Sequence, residues 1–231
     1  MFPSRKNLPG LLLILGTFAA SNSYAIPLNI DFGSATGVAP SALFGAASGQ
    51  SGVWNSIIDF NTPTGIVGLN GAATGVAISV TADAMYGSDS NCPTGDGCFL
   101  MGDNFLSISG QSWAVSITGL NDGLYDVYLY EPNNSAVGTG SGNVNGHVFA
   151  NINGNFTAGT FLEGFNYSLL TDVTVTGGTL FATGAQPSTF SGLAGLQIVP
   201  IDERTVVPEP TTLALMGLAM AGLGLRRRKP A

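Results

Sequence analysis

Apolar and polar residues alternate with a period of two through the middle of the chain. Successive side chains of a β-strand point to opposite faces, so this alternation is typical of strands that turn one face toward a core. Turn signals such as Asn121-Asp122-Gly123 and Gly177-Gly178 separate the alternating segments. The segments predicted as strands are 75–82, 112–120, 124–130, 147–152, 169–175, 179–183 and 193–199.

These spacings predict about nine to eleven short strands and no helix in the middle of the chain. No fixed repeat period occurs, which argues against a β-helix. The predicted fold class is therefore all-β, with a single jelly-roll-like β-sandwich over residues 26–202. An N-terminal signal peptide and a C-terminal hydrophobic helix flank this domain.

The N-terminal residues 1–25 have the three parts of a secretory signal peptide. Arg5 and Lys6 supply positive charge, an apolar run follows over residues 11–20, and small residues precede the end at Ala25. We predict cleavage after Ala25. The alternative is an N-terminal membrane anchor, but the run is shorter than the roughly 20 residues that span a bilayer.

The C-terminal residues fall into three segments. A linker over residues 203–212 contains Pro-Glu-Pro, an apolar segment covers residues 213–225, and a basic tail covers residues 226–231. At 1.5 Å rise per residue, the apolar segment covers only about 20 Å of a roughly 30 Å hydrocarbon core. We predict a short transmembrane helix that anchors the domain outside the inner membrane, with the basic tail in the cytoplasm.

This order of segments resembles the PEP-CTERM sorting signal of Gram-negative bacteria. The residues that carry the resemblance are Pro208, Glu209, Pro210, Arg226, Arg227 and Arg228. The resemblance implies recognition and removal of the anchor by an exosortase during export, in bacteria that make exopolysaccharide and biofilm. The alternative is a simple tail anchor.

The middle of the chain is also similar to exported galactose-binding-like, jelly-roll proteins. The similarity rests on IDFG at residues 30–33, GVWN at 52–55, GLYDVYLY at 123–130 and GLAGLQIVP at 192–200. Such a fold hosts sugar binding, adhesion and enzyme-accessory roles alike, so this resemblance implies an architecture and leaves the function open.

The positive charges of the chain are concentrated at its two ends. The net charge is −7, yet no Lys or Arg occurs between residues 26 and 203, and residues 26–205 contain thirteen acids and one base. Binding to phosphate requires cations that replace counterions, so nucleic acid and anionic lipid are excluded as partners of the domain. Neutral ligands and divalent cations remain.

The two cysteines, Cys92 and Cys98, are predicted to form a local disulfide. An even cysteine number in an exported protein favours this pairing. A metal site would need further thiols or a nearby histidine.

Aromatic residues on the segment YDVYLY are candidates for stacking on sugar rings. Tyr128 and Tyr130 share one face with Asp126, and we predict sugar contact there. The opposite face, which begins at Tyr125, is predicted to pack in the core, as is Trp113. The alternative for Tyr128 and Tyr130 is an amphipathic rim without a ligand.

Calcium is the one cofactor that the sequence suggests. Asp89, Asp96 and Asp103, with Asn91 and Asn104, supply hard oxygen donors in predicted loops. Their spacing differs from that of an EF-hand loop, and solvated turn residues are the alternative.

The lead hypothesis is a non-enzymatic protein of the cell surface or extracellular matrix that contacts neutral exopolysaccharide. One alternative is a glycoside hydrolase or lyase that uses two acids among Asp122, Asp126 and Glu131, with Asp31 and Asp59 as further acids. The other is a purely structural or adhesive matrix protein. No nucleophile motif accompanies the single histidine, His147, so we expect no catalytic residue there.

Overall fold

The protein has an all-β fold, as predicted. The computed structural model describes residues 25–33, 38–59, 63–87, 95–108, 110–131, 141–150, 152, 154, 156, 159–185 and 191–201. Almost all of the predicted signal peptide, together with the Pro-Glu-Pro linker, the apolar segment and the basic tail, lies outside these residues. No helix in the described ranges is long and apolar enough to cross a membrane.

Fourteen strands and one short helix are present in the described part of the chain. The strands are β1 (Leu28–Asp31), β2 (Trp54–Ser56), β3 (Thr64–Val67), β4 (Ala73–Thr81), β5 (Ala84–Gly87), β6 (Asp103–Ser107), β7 (Ser112–Thr118), β8 (Gly123–Tyr130), β9 (Ser141–Val144), β10 (His147–Ala150), β11 (Tyr167–Val175), β12 (Thr179–Ala185), β13 (Ser191–Leu193) and β14 (Gly195–Pro200). The helix is α1 (Asp96–Met101).

The strands form two large sheets and one small sheet. The five-stranded sheet has the order β11-β8-β14-β1-β2, the six-stranded sheet β10-β9-β12-β7-β4-β3, and the three-stranded sheet β13-β6-β5. The described strand pairs are antiparallel except β1 and β2, which run parallel. The two large sheets enclose the main core between them.

The residues that the large sheets turn toward the core follow the alternation of apolar and polar side chains along each strand. In β7, buried Trp113, Val115 and Ile117 alternate with partly or fully exposed Ser and Ala. In β8, Tyr125 lies in the same core, as predicted. Trp113 donates its indole N–H to Ser191 Oγ at 2.8 Å, so its single polar atom is satisfied.

All seven segments predicted as strands overlap strands of the structure. The expected strand number was too low because several strands span only three or four residues, too short for alternation to be recognised. The helical content of the described residues is one short helix, α1, whose 6 residues lie between Gly95 and Gly102.

The outer face of the five-stranded sheet is covered by the segment 38–50. The Ala47 backbone N–H donates to the Tyr130 hydroxyl at 2.9 Å, and Gln50 Nε2 donates to Asn29 Oδ1 at 2.9 Å. This face is therefore a second, smaller core, with Trp54, Leu100 and Tyr130 among its buried members.

Candidate functional site

The two tyrosines predicted to contact sugar lie at different depths. Tyr130 is fully buried, and its hydroxyl donates to Gln197 Oε1 while it accepts the Ala47 N–H. Burial is the largest cause of its raised pKa. The prediction of a sugar-contacting Tyr130 is therefore wrong, because segment 38–50 covers this position.

Tyr128 is only partly buried and stacks on Tyr167, the first residue of β11. The two ring centroids are 5.9 Å apart with an interplanar angle of 26°. In the register of β8 and β11, Tyr167 lies opposite Tyr130 and therefore diagonally from Tyr128 on the same face. The partly exposed aromatic pair on this face is therefore Tyr128 with Tyr167, whereas the sequence predicted Tyr128 with Tyr130.

The carboxylate of Glu163 lies beside this tyrosine pair. Burial, followed by the charges of Asp126, Tyr167 and Glu163, raises the pKa of the Tyr128 hydroxyl. Burial and then Glu163 raise the pKa of Tyr167. Both hydroxyls therefore remain protonated donors at neutral pH, within electrostatic reach of the Glu163 carboxylate. We name Tyr128, Tyr167 and Glu163 the tyrosine surface.

The loop that presents Glu163 is held by a buried asparagine. Asn166 Oδ1 accepts the Leu162 N–H at 2.8 Å, and Asn166 Nδ2 donates to the Thr160 carbonyl at 2.9 Å. Gly164 adopts a φ of 71° and donates its N–H to the Tyr167 carbonyl at 2.9 Å. These bonds fix the position of Glu163 relative to Tyr167.

A groove of about 500 Å³ adjoins the tyrosine surface. Its walls come from β10, β11 and the loop before β11, and Glu163 and Ser168 are its polar side chains. Leu169, which lies opposite Tyr128 in the strand register, also lines it. Glu163 and Leu169 therefore belong to both the groove and the neighbourhood of the tyrosines.

The three acids named for hydrolysis lie at separate places. Asp122 is exposed in a turn, where it accepts the Gly178 N–H at 2.8 Å. Asp126 is partly buried within β8, and Glu131 follows β8 and is fully buried. Alternation along a strand puts positions 126 and 131 on opposite faces, so these two acids do not share a cleft.

Of the calcium candidates, Asp96 and Asp103 lie in the part of the chain that the structure describes, at the start of α1 and of β6. Asp96 accepts hydrogen bonds from the Ser41 N–H at 2.9 Å and hydroxyl at 2.6 Å, and Asp103 is buried at the start of β6. Asp89 lies outside the described residues. In the ranges that the structure covers, no three His, Cys, Asp or Glu residues cluster as a metal site. Burial of Asp103 instead brings it close to Asp31, an acid that the sequence suggested only for catalysis.

Cys98 lies in α1, packs against the smaller core and is disulfide-bonded. Its predicted partner, Cys92, lies outside the described residues, so the Cys92–Cys98 pairing stays a prediction.

The sequence pattern did not identify Tyr167 and Glu163 as site residues. The strand predicted at 169–175 begins two residues earlier, at Tyr167, and the partner of Tyr128 depends on a register between distant strands. The available signal was the pattern Glu163-Gly164-Phe165-Asn166-Tyr167, a turn that leads into an aromatic strand start.

Comparison with solved structures gives weak likenesses to longer carbohydrate-active enzymes. The chain is 15% identical to an exo-β-1,3-galactanase from Phanerochaete chrysosporium with galactose, at a TM-score of 0.31, covering 59% of this chain and 29% of that one. It is 14% identical to the catalytic unit of a GH87 α-1,3-glucanase from Streptomyces thermodiastaticus, at a TM-score of 0.31, covering 57% and 26%. For a Paenibacillus xanthan lyase the identity is 16%, the TM-score 0.30, and the coverage 66% and 14%.

The chain thus spans less than a third of each of these proteins, and likenesses at such TM-scores do not bear on its function. A search of curated proteins found no match. One family model does match, at the C-terminal end of the chain. The chain carries the PEP-CTERM protein-sorting motif at residues 206–229, which marks it as an exported substrate of an exosortase.

Proposed function

We propose that the exported protein is a non-enzymatic component of the cell surface or extracellular matrix that contacts neutral exopolysaccharide through the tyrosine surface. The observation that carries this proposal is the stacked pair Tyr128 and Tyr167 near Glu163, a residue that also lines the groove. The sorting motif supports delivery of the domain to the place where such polysaccharide occurs.

The chemistry of the tyrosine surface suits a sugar. Flat aromatic rings pack against the apolar C–H faces of sugar rings, and a small number of fixed polar groups provides orientation. The two protonated tyrosine hydroxyls can donate hydrogen bonds, and the Glu163 carboxylate can accept bonds from sugar hydroxyls. The hydrogen bonds of Asn166 limit the entropy lost when a ligand fixes this loop.

The charge of the domain favours a neutral polymer. No Lys or Arg occurs between residues 26 and 203, so the surface offers no guanidinium or ammonium group to a uronate or sulfate. Glu163 would repel an anionic chain at close range. We therefore expect neutral glucans or galactans, with exosortase as the transient processing partner during export.

Affinity electrophoresis of the exported protein tests this proposal. Native gels would contain neutral glucans and galactans, with an anionic polysaccharide as a comparison. We expect retardation by at least one neutral polymer, and about tenfold weaker affinity for Tyr128→Ala and Tyr167→Ala, equivalent to about 1.4 kcal/mol each. Tyr128→Phe and Tyr167→Phe keep the stacked rings and should retain most of the affinity.

Tyr86→Ala is the matched control, because Tyr86 is also exposed but lies on β5 in the three-stranded sheet. Equal retardation of the Tyr128, Tyr167 and Tyr86 alanine variants would refute sugar contact at the tyrosine surface. A structural or adhesive protein would show no retardation by any polymer. Release of reducing ends, or of unsaturated sugars, during incubation would establish the enzymatic alternative instead.

A further inference from the structure

Three side-chain oxygens converge on Gly33, which follows β1. A Cβ atom built on Gly33 would lie 3.0 Å from Ser56 Oγ, 3.1 Å from Asp103 Oδ2 and 3.3 Å from Asp31 Oδ2. The three residues come from β1, β2 and β6, and Asp31 lies directly opposite Ser56 in the parallel pair. We call this arrangement the oxygen cradle.

The glycine at position 33 is needed for space rather than for backbone conformation. Gly33 is absent from the glycines that adopt positive φ, so its backbone would accept any L-residue. A methyl group at this position would stand in the oxygen cradle, closer to three oxygens than carbon atoms ordinarily come. The missing side chain therefore keeps open a space that only oxygen atoms line closely.

In the described residues, the Ser56 hydroxyl is the group that partly compensates the charge of Asp31. It is fully buried, and neither of its carboxylate oxygens meets a hydrogen-bond donor with good geometry in the described part of the chain. Burial raises its pKa, the charge of Asp103 raises it further, and the Ser56 hydroxyl lowers it. With no Lys or Arg between residues 26 and 203, ion pairing within the domain is not available.

We propose that the oxygen cradle binds a calcium ion through Asp31, Asp103 and the Ser56 hydroxyl. Two carboxylates would balance the double positive charge, and all three donors are the hard oxygens that calcium prefers. All three oxygens lie within 3.3 Å of the Cβ position built on Gly33. A calcium ion held beyond that position, on the side away from the Gly33 backbone, would meet them at calcium–oxygen distances of about 2.3–2.6 Å after contraction of the side chains around it. Magnesium would require greater contraction and stricter octahedral geometry.

The bound ion would add a direct link between β6 and the strands β1 and β2. β1 and β2 belong to the five-stranded sheet, whereas β6 is the central strand of the three-stranded sheet. A calcium ion held from all three strands would fix the small sheet against the large one. The site is buried, so its role is structural and independent of sugar contact at the tyrosine surface.

Equilibrium dialysis and thermal melting of the exported protein test this inference. In dialysis against labelled calcium we expect one ion per chain. For a dissociation constant of about 0.1 mM, within the range of extracellular modules, about 10 mM calcium would raise the folded-to-unfolded ratio about 100-fold over EDTA. This corresponds to a rise in Tm of about 5–10 °C. Equal magnesium should give a smaller rise.

Variants distinguish calcium binding from the alternative that the two carboxyl groups share a proton. Gly33→Ala keeps both carboxyl groups and fills the space, so it should lose calcium binding. Asp31→Asn should also lose it, while its Tm in EDTA rises because charge repulsion is relieved. Gly65→Ala is the control, because nothing lies within 4 Å of its added Cβ. Absence of bound calcium in the wild-type protein, or wild-type binding by Gly33→Ala, Asp31→Asn or Asp103→Asn, would overturn the proposal.

Discussion

Replacement of Gly184 by alanine should destabilise the domain through a collision with Trp113. A Cβ at Gly184 would lie 2.5 Å from Trp113 Cζ2 and 2.8 Å from its Nε1. The indole cannot move aside freely, because it is fully buried, bonds Ser191 Oγ at 2.8 Å and packs on Phe105 at a centroid distance of 5.3 Å. Gly184 does not adopt positive φ, so the effect is steric alone.

Two contributions give the expected magnitude. Overpacking of a well-packed core costs about 1–3 kcal/mol, and a displaced indole would weaken its hydrogen bond, which contributes about 0.5–1.5 kcal/mol. The total of about 1.5–4.5 kcal/mol corresponds to a fall in Tm of roughly 3–18 °C for a domain of this size. Urea titration and thermal melting by circular dichroism would measure both quantities.

Gly65→Ala provides the same substitution in the same sheet without the collision. Gly65 is exposed on the edge strand β3, and no atom lies within 4 Å of its added Cβ. Its stability should change by less than about 1 kcal/mol, and a slight gain is expected because the unfolded chain loses entropy. In a Trp113→Phe background, Gly184→Ala should cost less than in the wild type. Equal Tm values for Gly184→Ala and Gly65→Ala would refute the steric argument.

Two further predictions concern a buried acid and the sorting motif. Burial raises the pKa of Glu131 above that of the unfolded chain. The protonated side chain therefore contributes its full stabilisation below the unfolded pKa of about 4.3. This stabilisation is lost as the pH rises through the folded pKa. Glu131→Gln should therefore be more stable than the wild type near pH 7, by an amount that shrinks toward about pH 4. The free energy of unfolding of both proteins would be measured by urea titration at several pH values. A difference between them that does not change with pH would contradict this prediction. Alanine at Pro208, Glu209 and Pro210 should leave the tail on the protein in an exosortase-positive strain, and mass spectrometry showing normal tail removal would argue against recognition of the motif.

The sequence predicted the large sheets well because burial there follows strand alternation directly. In β4 and β7 one face enters the core and the other remains at the surface, so the period of two survives along the whole strand. The same pattern correctly assigned Tyr125 and Trp113 to the core. Strands of three or four residues, such as β2 and β13, contain too few positions for a period to be seen.

The candidate site was predicted only in part because a second layer covers the outer face of the five-stranded sheet. Alternation places Tyr128 and Tyr130 on the same face and gives no information about what lies above it. The Ala47 N–H that contacts Tyr130 comes from a segment 83 residues away in sequence. The partner of Tyr128, Tyr167, likewise depends on a strand register that no local pattern specifies.

The absence of basic residues from the domain constrains every acid that becomes buried. Asp31 and Glu131 cannot be neutralised by a Lys or Arg of the domain, since none occurs between residues 26 and 203. A buried carboxyl that lacks both a counter-ion and sufficient hydrogen-bond donors must either take up a proton or bind a metal ion. The Glu131 carboxyl, whose two oxygens have no hydrogen-bond partner in the described ranges, fits the first outcome. Asp31 fits the second, because its carboxylate faces Asp103 across a space that Gly33 keeps open.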